Sequence, residues 1–219
     1  MTTTTVSPAP VAVATARSTA TPQDRRITRS KRALSDALIE LMEERSFDGF
    51  SVNDLCERAD LNRGTFYNHF RDKDDLLAQL EAEVMDDLDR LQAQMQNLTV
   101  RELLGYRARK KPLPLLVELF DYLREQGAFL HAALGPGGDV GFGPRLRDSV
   151  CTNLVQSILH ERYRNDPSPF VGYYVAFFAS AYLGVITRWI ETGMQESSEE
   201  MALIAMRLFF IKPGESIKL

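Results

Sequence analysis

FSVNDLCERADLNRGTFYNHFRDK, residues 50–73, divides into two short helical patterns with a break between them. The first pattern, over residues 52–59, repeats apolar side chains at Val52, Leu55, Cys56 and Ala59, the i, i+3, i+4, i+7 spacing of a helix with one buried face. Ser51, with Asp54 three residues on, has the form of a capping box in which Asp replaces the usual Glu. Residues 60–62 interrupt the pattern. The second helix, over residues 63–70, turns Phe66 and Phe70 inward at i, i+4 and leaves Arg63, Thr65, Tyr67, Asn68 and His69 outward. Two short helices about three residues apart have the geometry of a helix-turn-helix. The outward set offers donors for phosphates and base edges and contains no carboxylate that would repel them.

Helical signals extend in both directions from this core. Upstream, Leu34, Ala37, Leu38, Leu41 and Met42 form one apolar stripe on a helix that starts near Gln23 and stops near Arg45, with Gly49 in the following loop. Residues 1–22 are rich in Thr, Ala, Val and Pro with no apolar periodicity, and read as a disordered tail with no secretory signal. Downstream, Asp72 has the position of an N-cap for a helix over residues 73–96 carrying Leu76, Leu77, Leu80, Val84, Leu88 and Leu91. Further helices are expected over 100–108, 113–134, 144–163, 169–193 and 198–211, and residues 135–143 read as a flexible glycine-rich loop. Alternation of the kind that builds strands is missing, so the fold class is all-α.

The net charge of −4 argues against indiscriminate coating of nucleic acid, but the charge is unevenly placed. Arg17, Arg25, Arg26, Arg29, Lys31 and Arg32 cluster near the N-terminus, while acids crowd residues 81–89 and 196–200. The two cysteines, Cys56 and Cys151, have no cysteine or histidine near them, which excludes a disulfide framework and a zinc site and fits a reducing cytoplasm. Both read as small apolar core residues. His131 and His160 form no metal-ligand spacing, and neither a nucleophile elbow nor a strand-borne phosphate loop accompanies them. No enzyme activity, metal or cofactor is therefore expected.

The run Ala59, residues 60–62, Gly64-Thr65-Phe66-Tyr67-Asn68-His69-Phe70 and Lys73 resembles the DNA-binding domain of the TetR/AcrR family of bacterial transcriptional regulators. The resemblance implies an N-terminal three-helix helix-turn-helix domain, residues 23–72, and a C-terminal helical effector-binding and dimerisation domain, residues 73–219. It implies that Arg63, Thr65 and Asn68 face the major groove, that Tyr67 and His69 bond backbone phosphates, and that Lys73 contacts phosphate. Gly64 belongs to the same DNA-binding set. The backbone amides of Ser51 and Val52, at a helix start, are further phosphate donors. The implied protein is a cytoplasmic repressor that binds an inverted-repeat operator as a homodimer and is released by a small-molecule effector.

Residues 170–187 carry no charge and have the length of a membrane span. Their small residues, Gly172, Ala176, Ser180 and Gly184, recur every fourth position, and the segment ends at Arg188, which suits a buried helix interface better than a membrane. Members of the family pair through their last two helices. Tyr174, Phe177, Phe178 and Tyr182 on one helix, with Met201, Ile204, Ala205, Leu208 and Phe209 on the next, suit that pairing. Phe129, Leu130, His131, Phe142, Tyr174, Phe178 and Trp189 are candidates for an effector pocket, although aromatic residues at helical spacing also simply fill cores. Two runs, Tyr122-Leu123 with Phe129-Leu130 and Gly184 with Trp189-Ile190 and Gly193, resemble one C-terminal subtype of the family. Two other readings stay open: a protein-assembly factor with weak DNA specificity, and a membrane-attached protein using residues 170–187.

Overall fold

The computed structural model describes residues 21–95, 100–153, 155 and 169–209. Its first helix, α1 (Pro22–Arg45), is fixed at its start by a reciprocal cap: Thr21 Oγ1 accepts the Asp24 N–H at 3.2 Å and the Asp24 carboxylate accepts the Thr21 N–H at 2.9 Å. Thr21 and Pro22, read from sequence as the end of the tail, are thus the cap and first residue of a helix. The expected stripe is realised, with Leu34, Leu38 and Leu41 fully buried. α1 ends at Ser46, whose φ of 61° turns the chain into the short 3-10 turn Phe47–Gly49.

α2 (Val52–Arg58) and α3 (Arg63–Tyr67) follow, then α4 (Lys73–Met95). Leu55, Cys56, Phe66 and Phe70 close a small core against α1, with the Phe66 and Phe70 rings 5.8 Å apart. On its solvent side Arg58 straddles two α1 carboxylates, reaching Glu40 at 2.9 Å and Glu44 at 2.8 Å. The pairing raises the guanidinium pKa and holds the Glu44 carboxyl below its ordinary range. Asp72 Oδ1 accepts the Asp75 N–H at 2.7 Å and so caps α4 as expected.

The C-terminal domain is built from α4, α5 (Val100–Ala108), α6 (Pro114–Glu125), α7 (Gly127–Leu134), α8 (Phe142–Leu146), α9 (Pro169–Glu191) and α10 (Ser198–Phe209). α8 runs on through a π-helical turn, Arg147–Cys151. α10 lies on α6, α9 on α7 and the π turn, and α4 on α6. Three expectations change. The single helix over 113–134 is two, bent at Gln126, where the Met194 methyl fills the place a Cβ on Gly127 would occupy. Phe142 and Gly143, read as loop, open α8, because burying Phe142 completely is worth about 2–3 kcal/mol and outweighs the glycine penalty. The 135–141 segment is anchored to the N-terminal domain: Gly137 O accepts the Phe47 N–H at 2.8 Å, and a Cβ on Gly137 would stand 2.8 Å from Ser46 Cβ. The expected extensions to residues 96, 163 and 211, the 1–20 part of the tail, and His160 lie outside the described residues.

Candidate nucleic-acid interface

α3 is short, so its start is set by its cap. Asn62 Oδ1 accepts the Thr65 N–H at 2.8 Å and the Thr65 hydroxyl at 3.2 Å. The sequence reading took Asn62 only as part of the break; an Asn three residues before a Thr at the start of an apolar pattern was the available signal. Asp60, at φ 52°, makes the turn between α2 and α3. With Phe66 buried, Arg63, Gly64, Tyr67 and Asn68 are exposed, and Thr65 and His69 half-buried. Arg63 Nη2 donates to the Tyr67 hydroxyl at 3.2 Å and its guanidinium lies over the Tyr67 ring. Tyr67 in turn packs edge-on against Phe66. The core therefore positions the tyrosine, and the tyrosine positions the arginine.

His69 Nε2 lies 2.8 Å from the Ser30 hydroxyl of α1, which pins the end of α3 and leaves Nδ1 as the ring's second polar atom. α1 also contributes to the face. Gln23, Arg26, Ile27 and Ser30 line a groove of about 650 Å³ with Thr65, Asn68 and His69, and no carboxylate lines it. Arg25, Arg26 and Arg29 are all exposed on α1. The sequence reading recognised this basic cluster but did not join Gln23 and Arg26 to the recognition face, because their approach to α3 is a tertiary contact.

Two expected phosphate donors are committed elsewhere. The Ser51 N–H donates to Asp54 Oδ2 at 2.8 Å, and Asp54 N–H donates back to Ser51 Oγ at 3.4 Å. These bonds hold the Asp54 carboxyl below its ordinary pKa and put a negative charge at the start of α2, beside Val52. The Lys73 ammonium turns inward: it donates to Phe47 O at 2.7 Å and Phe50 O at 3.2 Å and sits over both rings at 4.5 and 5.1 Å. Its evident role is to hold the α1–α2 connection onto α4.

The six aromatic and histidine candidates for an effector pocket do not converge. Phe129 packs edge-on with Phe142, Trp189 with Phe120, and Tyr174 with Phe178, which also meets Phe209. Trp189 Nε1 donates to Glu196 O at 3.2 Å, and the Arg124 guanidinium lies over the indole. His131 faces outward, with Nδ1 2.6 Å from Glu43 of α1. α9 is apolar on both sides. Val175, Ala179, Tyr182, Ile186, Trp189 and Ile190 are buried, while Phe170, Tyr173 and Phe177 are 74%, 77% and 68% exposed. Gly172, Ala176, Ser180 and Gly184 share the exposed face. Three residues expected on the pairing face are internal instead. Tyr182 is buried and donates to Ala205 O at 3.0 Å, and Met201 and Ala205 are buried on α10, where Leu203 and Ile204 point outward. Cys151 is buried and its thiol pushed up to about 12 by desolvation, as an inert core residue should be.

The capped α2–turn–α3 unit, with its basic α1 and an outward face free of carboxylates, defines a helix-turn-helix DNA-binding protein. Residues 34–80 match the family model for bacterial regulatory proteins of the tetR family, and residues 110–210 match a model for a transcriptional regulator C-terminal region. Over 70 residues the chain is 31% identical to the HTH-type transcriptional regulator YxbF of Bacillus subtilis, a stretch that spans 30% of this chain and 18% of that relative. Among solved structures, the chain is similar to the fatty acid degradation regulator FadR of Bacillus halodurans (TM-score 0.58, 18% identity, 82% of this chain and 93% of that one). It is also similar to the FadR of Bacillus subtilis solved with stearoyl-CoA (TM-score 0.56, 16% identity, 81% and 96%). The two family models together take in more than half of the chain, which belongs to the TetR family of bacterial transcriptional regulators.

Proposed function

We propose that this protein is a cytoplasmic transcriptional repressor that binds an inverted-repeat operator as a homodimer and is released by a small-molecule effector. The observation that carries the reading is the α3 face: Arg63, Tyr67 and Asn68 exposed around a buried Phe66, with α1 arginines beside them and no carboxylate lining the groove between α1 and α3. Arg63 and Asn68 carry side-chain donors suited to base edges, Thr65 is a shorter-range partner, and Tyr67 and His69 serve the phosphates. Lys73 and the Ser51 amide act on DNA only through the structure they hold; the Val52 amide and Gly64 stay in the contact set.

The homodimer reading is supported by the uncovered aromatic face of α9. An exposed apolar patch of this kind on a water-soluble chain marks an interface. Pro169–Glu191 is also long and apolar enough to cross a membrane, with a mean hydropathy of 1.6 over its most apolar 18 residues. A second copy laid against Gly172, Ala176, Ser180 and Gly184 covers the same face and lets two helices approach closely. A two-fold dimer presents two α3 helices to two half-sites, hence an inverted repeat. The B. subtilis FadR solved with stearoyl-CoA supports a small-molecule effector as the releasing signal. The stripe Leu77, Leu80, Val84, Leu88 and Leu91 along α4 is the element that transmits it, since α4 is tied at Lys73 to Phe47 and Phe50 of the DNA-binding domain and packs on α6.

Selection from random duplex DNA with the purified chain tests the proposal. An enriched inverted repeat, bound by a dimer with a steep salt dependence, is the expected result. No enriched sequence at any salt concentration overturns it in favour of the assembly reading, and a requirement for detergent overturns it in favour of the membrane reading.

A further inference from the structure

A second groove, of about 910 Å³, lies where the 3-10 turn after α1, the first half of α4 and the 135–141 loop meet. Its size is that of a site for a drug-sized molecule. Four carboxylates line it, Asp48, Asp74, Glu81 and Asp139, against a single guanidinium, Arg145. Arg145 pairs with both Glu81 and Asp139, the latter at 2.8 Å. Phe47, Leu77, Met85 and Val140 supply apolar wall.

Glu81 singles this groove out from an ordinary acidic surface. Its side chain is only 10% exposed, one carboxylate oxygen is held by Arg145, and the other, Oε1, is buried with no N–H donor on it among the described residues, so that the carboxyl's remaining partner is the Asp139 carboxylate, which it can meet only when protonated. A buried acceptor left unpaired is costly, more so when it carries charge. A donor that arrives there recovers that cost. Metal ions are a poor fit, because no group of three or more ligating side chains that could hold one occurs among the described residues.

We propose that this groove binds a small organic monocation, an amidinium or primary ammonium on an apolar body, whose N–H donates to Glu81 Oε1 while its body lies against Leu77 and Met85. The surplus of acids attracts the charge, the orphan oxygen fixes its position, and the apolar wall holds the rest. The ligand touches the DNA-binding domain, α4 and the C-terminal domain at once, which makes the site a regulatory one if the DNA-binding reading holds. The binding itself does not depend on that reading. Burial, reinforced by Asp139, raises the Glu81 carboxyl to about 7 against the pull of Arg145. Binding of a cation therefore ionises Glu81 and expels a proton near neutral pH.

The test is calorimetric titration of the full chain, without DNA, with benzamidinium and 2-phenylethylammonium, and with benzamide and 2-phenylethanol as neutral counterparts. The expected result is saturable binding of the cations, at least about ten-fold tighter than of the neutral molecules, from the added charge-assisted hydrogen bond. Proton release near pH 7, read from two buffers of different ionisation enthalpy, accompanies it. Glu81→Gln abolishes both the preference and the proton release. Absence of saturable binding, equal binding of neutral and charged probes, or unchanged preference in Glu81→Gln overturns the proposal. The charged-against-neutral contrast in the unsubstituted chain decides the matter even where Glu81→Gln does not fold. Since no DNA is present, failure here leaves the operator reading standing, and failure of the operator selection leaves this site standing.

Discussion

Phe177→Asp separates pairing from folding. Phe177 is 68% exposed in the protomer and touches its own chain mainly through an edge contact with Phe178, ring centroids 5.3 Å apart. Losing that contact costs the protomer about 1 kcal/mol, so the variant stays helical and folded. Pairing is another matter. A Phe side chain offers roughly 200 Å², so two-thirds exposure leaves roughly 130 Å² per protomer for a partner, about 3 kcal/mol at ~25 cal/mol/Å². Two-fold symmetry counts the loss twice, and with only half of that area covered the dimer still loses about 3 kcal/mol, or a hundred-fold or more in Kd. An aspartate adds the cost of burying an unpaired charge. Sedimentation velocity over a concentration series should show the wild type as a dimer and Phe177→Asp as a monomer with an unchanged circular dichroism spectrum. Affinity for the full inverted repeat should fall while affinity for a single half-site persists. A Phe177→Asp protein that remains dimeric at every concentration refutes the assignment of the α9 face to the interface.

Tyr67→Ala should weaken binding to all DNA sequences by a similar factor at every salt concentration, because the uncharged tyrosine releases no counterion, read by fluorescence anisotropy at several salt concentrations; a folded variant with wild-type binding overturns the α3 face. Lys73→Met should lower stability by about 1–3 kcal/mol, through two lost bonds to partly buried carbonyls, and leave the salt slope of DNA binding unchanged. Ser51→Ala should cost about 1 kcal/mol in a denaturant titration by removing half of the α2 cap. The Glu81 carboxyl has a folded-state pKa of about 7, above its ordinary 4.5. The folded protein therefore binds the extra proton between those values, and this group's contribution to stability falls as pH rises from about 4.5 through 7. Glu81→Gln removes that fall, so its melting temperature should exceed the wild type's more at pH 8 than at pH 5; equal differences at the two pH values refute the burial argument.

Most of the helices, the Ser51 and Asp72 caps and the recognition motif were legible because each is written in residues within four positions of one another. The stripe on α1, the Ser51–Asp54 box, the Asp72 cap and the inward Phe66 and Phe70 depend only on helical periodicity and local hydrogen bonds. The outward Arg63, Tyr67 and Asn68 follow from the same periodicity. Phe142 marks where this logic fails: five glycines among the nine residues 135–143 argued for loop, but a wholly buried ring decided for helix.

Which polar group is free and which is spent was decided by the tertiary structure. Lys73 lies 23 and 26 residues from the carbonyls it caps, and no sequence spacing distinguishes a lysine that reaches solvent from one that folds back onto Phe47 and Phe50. The five aromatic effector candidates share a residue type, but packing sets them in separate aromatic pairs, and His131 turns out to Glu43. Glu81 lies among the acids of α4 with nothing local to mark it; only the approach of Arg145 and the 135–141 loop buries it and strands one oxygen. The sequence by itself determined the helices, the motif and the family, because short-range periodicity and capping carry that information. The tertiary structure decided the availability of each donor and acceptor, because burial and pairing between distant segments are properties of the packed chain.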